Sequence, residues 1–113
     1  MVKIQFRERN VEVSDRLRTH VERRLGFALA RFGQRIARVI VRFSDADGEG
    51  GANKRCQIHV GLRSRSARAE DTQVDLLAAI DGAVERVSRS VAHVLEREQE
   101  WQHTGADSRS GKP

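Results

Sequence analysis

The strongest pattern in the chain is a set of apolar residues that recur every three or four positions in its C-terminal third. The set comprises Leu77, Ile80, Val84, Val87, Val91, Val94 and Leu95. This spacing places all of them on one side of a helix of about five turns, as in a helix that covers a core. We expect Asp71 or Thr72 to cap its start, since Thr72 and Asp75 resemble a capping box. The rest of the chain must supply the surface on which this helix packs.

That surface is predicted to be a sheet, because four segments alternate apolar and polar residues. The strands are expected near 2–7, 36–44, 54–62 and, more weakly, 65–70. Between the first two strands, Ser14 precedes a second apolar stripe that predicts a helix over 15–32, with Gly33 as its stop. The predicted order is therefore βαβββα.

This order predicts an α+β fold with a four-stranded, mostly antiparallel sheet and two helices packed on one face. The folded domain should span 1–101, and 102–113 should form a disordered polar tail because no period continues there. With one face covered, the other is left to water or to a partner. We expect that face to display one acid, Glu70, among the bases Lys3, Arg7, Arg38, Arg42, His59 and Arg68.

Charge indicates what kind of partner the chain has. It holds 21 lysines and arginines, most of them arginine, against 16 acids, for a net charge of +5. Residues 1–68 carry +9 and residues 69–113 carry −4, which favours an anionic partner for one face. The plainer alternative is that the charge serves solubility alone.

The sequence also limits where the protein acts. The longest apolar run is five residues, at 76–80, far below the ~20 that a spanning helix needs, and the start MVKIQF lacks a signal-peptide pattern. We therefore expect a cytoplasmic protein without a membrane partner. A lone Cys56 agrees with a reducing compartment.

Catalytic motifs are not found in the sequence. Cys56 and His59 lie three apart on a predicted strand and so point to opposite faces. No HExxH or CxxC pattern occurs, and the glycine-rich segment 45–53 has neither the ligand spacing of a calcium loop nor the GK[ST] of a phosphate loop. We expect a protein that is not an enzyme and that needs no metal, cofactor or small-molecule substrate.

Basic residues along both predicted helices are the candidate binding groups. They suit contacts to phosphates at two places on a folded RNA. A charged helix face is also what solvation alone produces, and Glu85, Glu96 and Glu100 interleave with the second set. The candidate RNA-binding residues are Arg16, His20, Arg23, Arg24 and Arg31 on the first helix, Arg86, Arg89, His93 and Arg97 on the second, and Lys3, Arg7 and Arg42 on the strands.

Four segments together resemble a known family, the ribosome hibernation promoting factors, also called ribosome-associated inhibitors or sigma-54 modulation proteins. They are VEVSDRLRTHVERRL at 11–25, RFGQRIARVIVRFSD at 31–45, KRCQIHV at 54–60 and DLLAAIDGAVERVSRSV at 75–91. The resemblance implies a fold like the double-stranded RNA-binding domain. It also implies a monomeric factor that binds the ribosomal small subunit and its rRNA at the decoding region and inhibits translation during stress or stationary phase.

By position, the resemblance assigns RNA contacts to Arg23 and Arg24 and to Arg86, Arg89 and Arg97, with His93 where a lysine is more usual. We expect no second domain after residue 101, and hence a short form of the family.

The chain departs from the family in three ways. Phe27 and Leu95 stand where lysine is common, Leu77 replaces a tyrosine and is expected to serve the core, and residues 70–100 hold 3 bases against 8 acids. Two alternatives therefore stay open: a protein-interaction adaptor with the same fold, and a general double-stranded RNA binder.

Overall fold

The described part of the chain forms four strands and two long helices in the predicted order. The computed structural model describes residues 3–47 and 52–111, with side chains as far as Glu98. A 3₁₀ segment, Ala30–Arg35, joins the first helix to the second strand. The elements are β1 (Ile4–Arg9), α1 (Asp15–Leu29), β2 (Ile36–Asp45), β3 (Lys54–Leu62), β4 (Ser66–Gln73) and α2 (Leu76–Gly111). The predicted βαβββα order is confirmed.

The four strands form one sheet in the order β1-β2-β3-β4. β1 runs parallel to β2, whereas β2 with β3 and β3 with β4 are antiparallel. The parallel pair follows from the connection, because α1 carries the chain back to the end of the sheet where β1 began. The sheet is therefore mostly antiparallel, as predicted.

A single core lies between the sheet and the two helices. Alternate strand residues point into it, and the apolar stripes of α1 and α2 meet them there. Both helices therefore cover the same face of the sheet, as the stripes predicted. The side chains that are almost completely buried include Val21 and Leu25 from α1, Val39, Val41 and Phe43 from β2, Cys56, Ile58 and Val60 from β3, and Ile80, Val84, Val87 and Val91 from α2.

Helix α1 starts as predicted and ends earlier. The Ser14 hydroxyl accepts a hydrogen bond from the backbone N–H of Leu17 at 3.2 Å, which caps the helix. The α-helix ends at Leu29 rather than near residue 32, because the next turn tightens into the 3₁₀ segment. Within that segment Gly33 has a φ of 55°, a conformation that glycine adopts without strain. Gly33 thus turns the chain into β2.

The predicted start of α2 was wrong. β4 continues to Gln73, and Asp71 lies within it with 8% of its surface exposed, so it does not cap the helix. Asp75 fills that role instead, since its carboxylate accepts a hydrogen bond from the backbone N–H of Leu77 at 3.3 Å. The expected cap failed because the pairing of β3 with β4 runs on through Thr72 and Gln73.

Leu77 was also wrongly predicted to serve the core. It is 40% exposed, while Ala79 and Ala83 are fully buried. These alanines move the centre of the buried helix face toward Leu76, which packs against the core in place of Leu77.

The end of α2 differs from the predicted disordered tail over 102–113. The backbone stays helical to Gly111, and residues 112–113 lie outside the described residues. Each residue added to an existing helix forms one more hydrogen bond, and no proline interrupts the chain before Pro113. In the glycine-rich segment 45–53, residues 48–51 also lie outside the described part.

Gly82 lets α2 approach β4 closely. A Cβ atom at Gly82 would lie 1.9 Å from Asp71 Oδ2 and 2.7 Å from its Cγ. The Asp71 carboxylate cannot simply move, because it accepts hydrogen bonds from the Thr72 backbone N–H and from the Gln73 amide. The lack of a side chain at residue 82 is therefore a packing requirement.

We expect Gly82→Ala to destabilise the protein by about 1 to 2 kcal/mol, since overpacking outweighs the gain in helix propensity. Gly26→Ala on α1 is the matched control, because nothing lies within 4 Å of the added Cβ. It should stabilise the fold by up to about 1 kcal/mol. Urea unfolding followed by circular dichroism measures both, and equal stabilities would contradict the packing requirement.

Candidate nucleic-acid interface

Helix α1 presents the clearest group of free cations. Arg16 and Arg23 are exposed and form no ion pair with any described residue. Arg31, in the 3₁₀ segment, is also exposed and has its guanidinium 4.6 Å from the centroid of the Phe32 ring. That contact holds the side chain against an aromatic face without neutralising its charge. These three arginines remain available to an anionic partner.

Two other candidates on α1 are engaged within the protein. His20 Nε2 lies 2.9 Å and Arg24 Nε lies 3.3 Å from the same oxygen, Oδ1 of Asp81 on α2. All three side chains are partly exposed, so each contact is weak on its own. Together they join the two helices. The structure thus separates His20 and Arg24 from the free arginines with which the sequence grouped them.

On α2, Arg86 has a structural role. Its Nη1 donates a hydrogen bond to the backbone carbonyl oxygen of Glu70 at 2.8 Å and lies 3.3 Å from Asp71 Oδ1. The Asp71 side chain is only 10% exposed, and a carboxylate so far removed from water needs a partner. Arg86 therefore links α2 to β4 through these contacts, and its main role is structural.

The remaining α2 candidates are exposed. Arg89 lies 3.8 Å from Glu85 with both side chains more than 70% exposed, so the pair contributes little. His93 and Arg97 are exposed and form no ion pair within the described side chains. Glu85 and Glu96 lie among these cations, so the positive charge of α2 is thinner than that of α1.

The open face of the sheet carries more basic residues than either helix. Cross-strand register places Arg7 beside Arg42 and His59 beside Arg68, with Arg38 one step along β2. Lys3, just before β1, is exposed and borders the groove beneath α1. The predicted composition of this face is confirmed for the residues in the strands.

Sequence reasoning missed two members of this face. Arg9 follows Arg7 by two residues on β1, and Arg55 precedes Gln57 by two residues on β3. Cross-strand register places Ser44 of β2 between Arg9 and Arg55, and Thr72 of β4 on the other side of Arg55. The same period of two would have found them. Arg55 Nε lies 3.9 Å from Glu70, which also accepts a hydrogen bond from Gln57 at 3.0 Å.

One large apolar side chain departs from the pattern of α1. Phe27 is 87% exposed, whereas Leu25 and Leu29 on either side of it are buried. The other large apolar residues exposed among the described side chains are Val74 and Leu77.

The described residues offer no arrangement for metal binding and no activated thiol. They contain no group of three or more histidine, cysteine or acidic side chains that could hold a metal ion, and no described helix is long and apolar enough to cross a membrane. Cys56 points into the core and His59 lies on the open face, as predicted. Burial, aided by Asp71, raises the pKa of the Cys56 thiol to about 12.

These features define a class: a small α+β domain with free arginines on a helix and on an open sheet face, and no described metal-binding cluster. The family comparison is more specific. The family model described as "Sigma 54 modulation protein / S30EA ribosomal protein" matches residues 4–99. The chain belongs to this family of ribosome-associated hibernation and interface factors, and the predicted family is confirmed.

Known relatives agree with this assignment. The chain is similar to the ribosome-binding factor PSRP1 of Spinacia oleracea chloroplasts, with 29% identity over 100 residues, which is 85% of this chain and 33% of the relative. It therefore spans about a third of that protein's length.

Two solved structures share the fold. The N-terminal domain of Thermus thermophilus Protein Y has 31% identity and a TM-score of 0.67, over 82% of this chain and 97% of that one. A ribosomal subunit interface protein from Coxiella burnetii has 18% identity and a TM-score of 0.70, with the same coverage of both chains. The second likeness concerns the fold alone.

We expect Arg86→Gln to destabilise the fold by about 1 to 2 kcal/mol, because it leaves the Asp71 carboxylate without its charged partner. Arg89→Gln, one turn further along the same helix, removes the same charge from an exposed site and should change stability by less than about 0.5 kcal/mol. Chemical unfolding distinguishes the two, and equal effects would refute the structural role of Arg86.

Cys56 should resist thiol reagents in the folded protein. With its pKa raised to about 12, almost none of the thiol is ionised at about pH 8, and only the thiolate reacts. A disulfide reagent should therefore label Cys56 only at the rate of unfolding, and fast labelling without denaturant would contradict its burial. The Gly82→Ala variant, which unfolds more often, should react faster.

Proposed function

We propose that this protein is a non-catalytic factor that binds the small ribosomal subunit at its decoding region and inhibits translation during stress or stationary phase. It acts as a monomer in the cytoplasm and contacts rRNA through arginine side chains. Family membership and the resemblance of its motifs support this role, as does the name of the Spinacia oleracea relative, a ribosome-binding factor.

The main support for the proposal is that α1 has arginines without a described carboxylate partner. Arg16 and Arg23 are seven residues apart and so lie on the same side of the helix, two turns from each other. Neither has a carboxylate partner within the described residues. Guanidinium groups held on a rigid helix replace counterions along an RNA backbone, which makes the affinity depend strongly on salt.

Ion pairs and hydrogen bonds within the protein engage some of the expected RNA-binding residues and leave others free to contact RNA. Arg16, Arg23 and Arg31 form the main helical contact, and the exposed Arg89, His93 and Arg97 add a weaker one on α2. His20, Arg24 and Arg86 first hold the fold together. Arg24 stays 42% exposed, so it still adds to the positive potential near α1.

Folded RNA suits this arrangement better than single-stranded RNA. The exposed cations lie along helices and strands of fixed geometry, and such spacing matches phosphates of fixed position. Single-stranded binding uses rows of aromatic side chains, whereas Phe27 is the one largely exposed aromatic residue among the described side chains.

A second candidate function is a protein-interaction adaptor. It is favoured by the acidic residues of α2, of which Asp81 already engages His20 and Arg24. An adaptor should bind a protein partner with little dependence on salt and should not pellet with ribosomes. Binding a plain RNA duplex as tightly as ribosomes would instead indicate the general double-stranded RNA binder.

Co-sedimentation with purified small and large subunits tests the proposal. The protein should pellet with small subunits at low salt and dissociate steeply as salt rises. The Arg16→Gln/Arg23→Gln double variant should bind at least about tenfold more weakly, with a salt slope smaller by about 2.

The matched control is Arg63→Gln/Arg65→Gln, which removes two exposed arginines from the turn between β3 and β4. It should bind within about threefold of the natural protein, because only general attraction is lost. Circular dichroism should show both double variants to be folded. A protein that stays in the supernatant with small subunits at low salt would contradict the proposed function.

A further inference from the structure

The open face of the sheet contains a depression at its centre. It has a volume of about 470 Å³ and is lined by Ile40 and Arg42 from β2, Gln57 and His59 from β3, and Arg68 and Glu70 from β4. Ile40, paired with His59 across the strands, forms its apolar floor. The depression thus lies on three adjacent strands, on the side away from both helices.

Three arginines lie near His59 on the open face, two of them in the lining of the depression. Arg68 is directly opposite it on β4, and Arg42 and Arg38 flank its partner Ile40 on β2. Such diagonal neighbours lie about 7 to 8 Å apart, within reach of long side chains. Arg38 extends toward β3, since a Cβ atom on Gly61 would lie 3.0 Å from its Cγ. His59 therefore has one arginine opposite it on β4 and one on each diagonal on β2.

These arginines are not neutralised by neighbours. Arg38, Arg42 and Arg68 form no ion pair with any described residue. Glu70, the acid predicted for this face, is diagonal to His59. Its carboxylate accepts a hydrogen bond from Gln57 and forms an ion pair with Arg55, whereas the three arginines near His59 have no described carboxylate partner. The region consequently combines a surplus of positive charge and hydrogen-bond donors with an apolar floor. That combination matches a phosphate group.

We propose that this depression holds a phosphate group of the bound RNA between Arg42 and Arg68, with His59 as a third donor that takes up a proton when the phosphate binds. This site rests on the proposed function and extends it to a second contact surface. It lies opposite the helices, so one protein molecule touches rRNA on two sides.

The proton uptake follows from the charges around His59. Partial burial, and then the positive charges of Arg68, Arg38 and Arg42, lower the pKa of His59, so the imidazole is neutral at about pH 7. A bound phosphate opposes those charges and raises that pKa. Protonated His59 strengthens the binding of the phosphate. This contribution to the binding free energy is complete below the pKa of His59 in the free protein, and it is lost as pH rises through the higher pKa of His59 in the complex. Binding should therefore tighten as pH falls.

The first test compares ribosome binding by two double variants that lose the same charge. Arg42→Gln/Arg68→Gln should weaken binding about tenfold or more and reduce the salt slope by about 2, whereas Arg63→Gln/Arg65→Gln should stay within about threefold of the natural protein. Both should unfold at the same urea concentration as the natural protein. Equal binding by the two double variants would overturn the proposed site.

The second test follows binding between about pH 7.5 and pH 6. The natural protein should bind several-fold more tightly at the lower pH, with an upper limit of about tenfold per pH unit for one proton. His59→Gln should lose this dependence, and His59→Lys, which keeps a positive charge at both pH values, should also lose it while binding more tightly than His59→Gln. A pH dependence that survives in His59→Gln would refute the role of this histidine.

Failure of the site can be told apart from failure of the proposed function. If the natural protein does not pellet with small subunits, the proposed function is wrong, and the same four variants are then compared on a short RNA duplex. Weaker binding of the duplex by Arg42→Gln/Arg68→Gln than by its control would still support the phosphate site. Equal binding would reject it.

Discussion

The burial of one face of the four-stranded sheet under α1 and α2 is the interaction on which the rest of the structure depends. Valine and isoleucine side chains from three strands meet the apolar stripes of both helices in a single core. Because strand residues alternate between faces, this burial obliges the intervening residues to face outward. The basic surface of the sheet is thus a direct consequence of where the helices lie.

Arginine serves two different purposes in this protein. Arg18 with Glu8, Arg24 with Asp81 and Arg86 with Asp71 connect separate elements. Arg16 and Arg23 on α1, and Arg38, Arg42 and Arg68 on the open sheet face, have no described carboxylate partner. The planar guanidinium suits both uses, since it forms directed hydrogen bonds to protein oxygens and to phosphates alike. What separates the two groups is the distance to the nearest carboxylate, which depends on how the elements pack.

Local patterns predicted most of the fold and failed where packing overrode them. The strands that contain Val39, Val41 and Ile58 form where apolar and polar residues alternate in the sequence. The Ser14 hydroxyl caps α1, as the sequence predicted. Asp71 was mistaken for a cap because an aspartate before an apolar run has the right chemistry for one. Its true position depends on strand pairing between β3 and β4, which no local pattern contains.

For the candidate site, residue type and spacing identified the exposed arginines Arg16 and Arg23 but could not exclude Arg86. The pairing of Arg86 with Asp71 joins residues 15 positions apart on different elements and depends on the close approach at Gly82. Likewise, the grouping of Arg38, Arg42 and Arg68 around His59 requires the register of three strands. Spacing along one element says nothing about such neighbours.

By itself, then, the sequence determined the order of elements, the faces they bury and the sign of the charge left outside, because hydrophobic periodicity and charge are properties of local segments. Only the tertiary structure decided which cations are free and which are held by carboxylates. Ion pairing falls off steeply with distance, and the distances between α1, α2 and β4 exist only after the chain has folded.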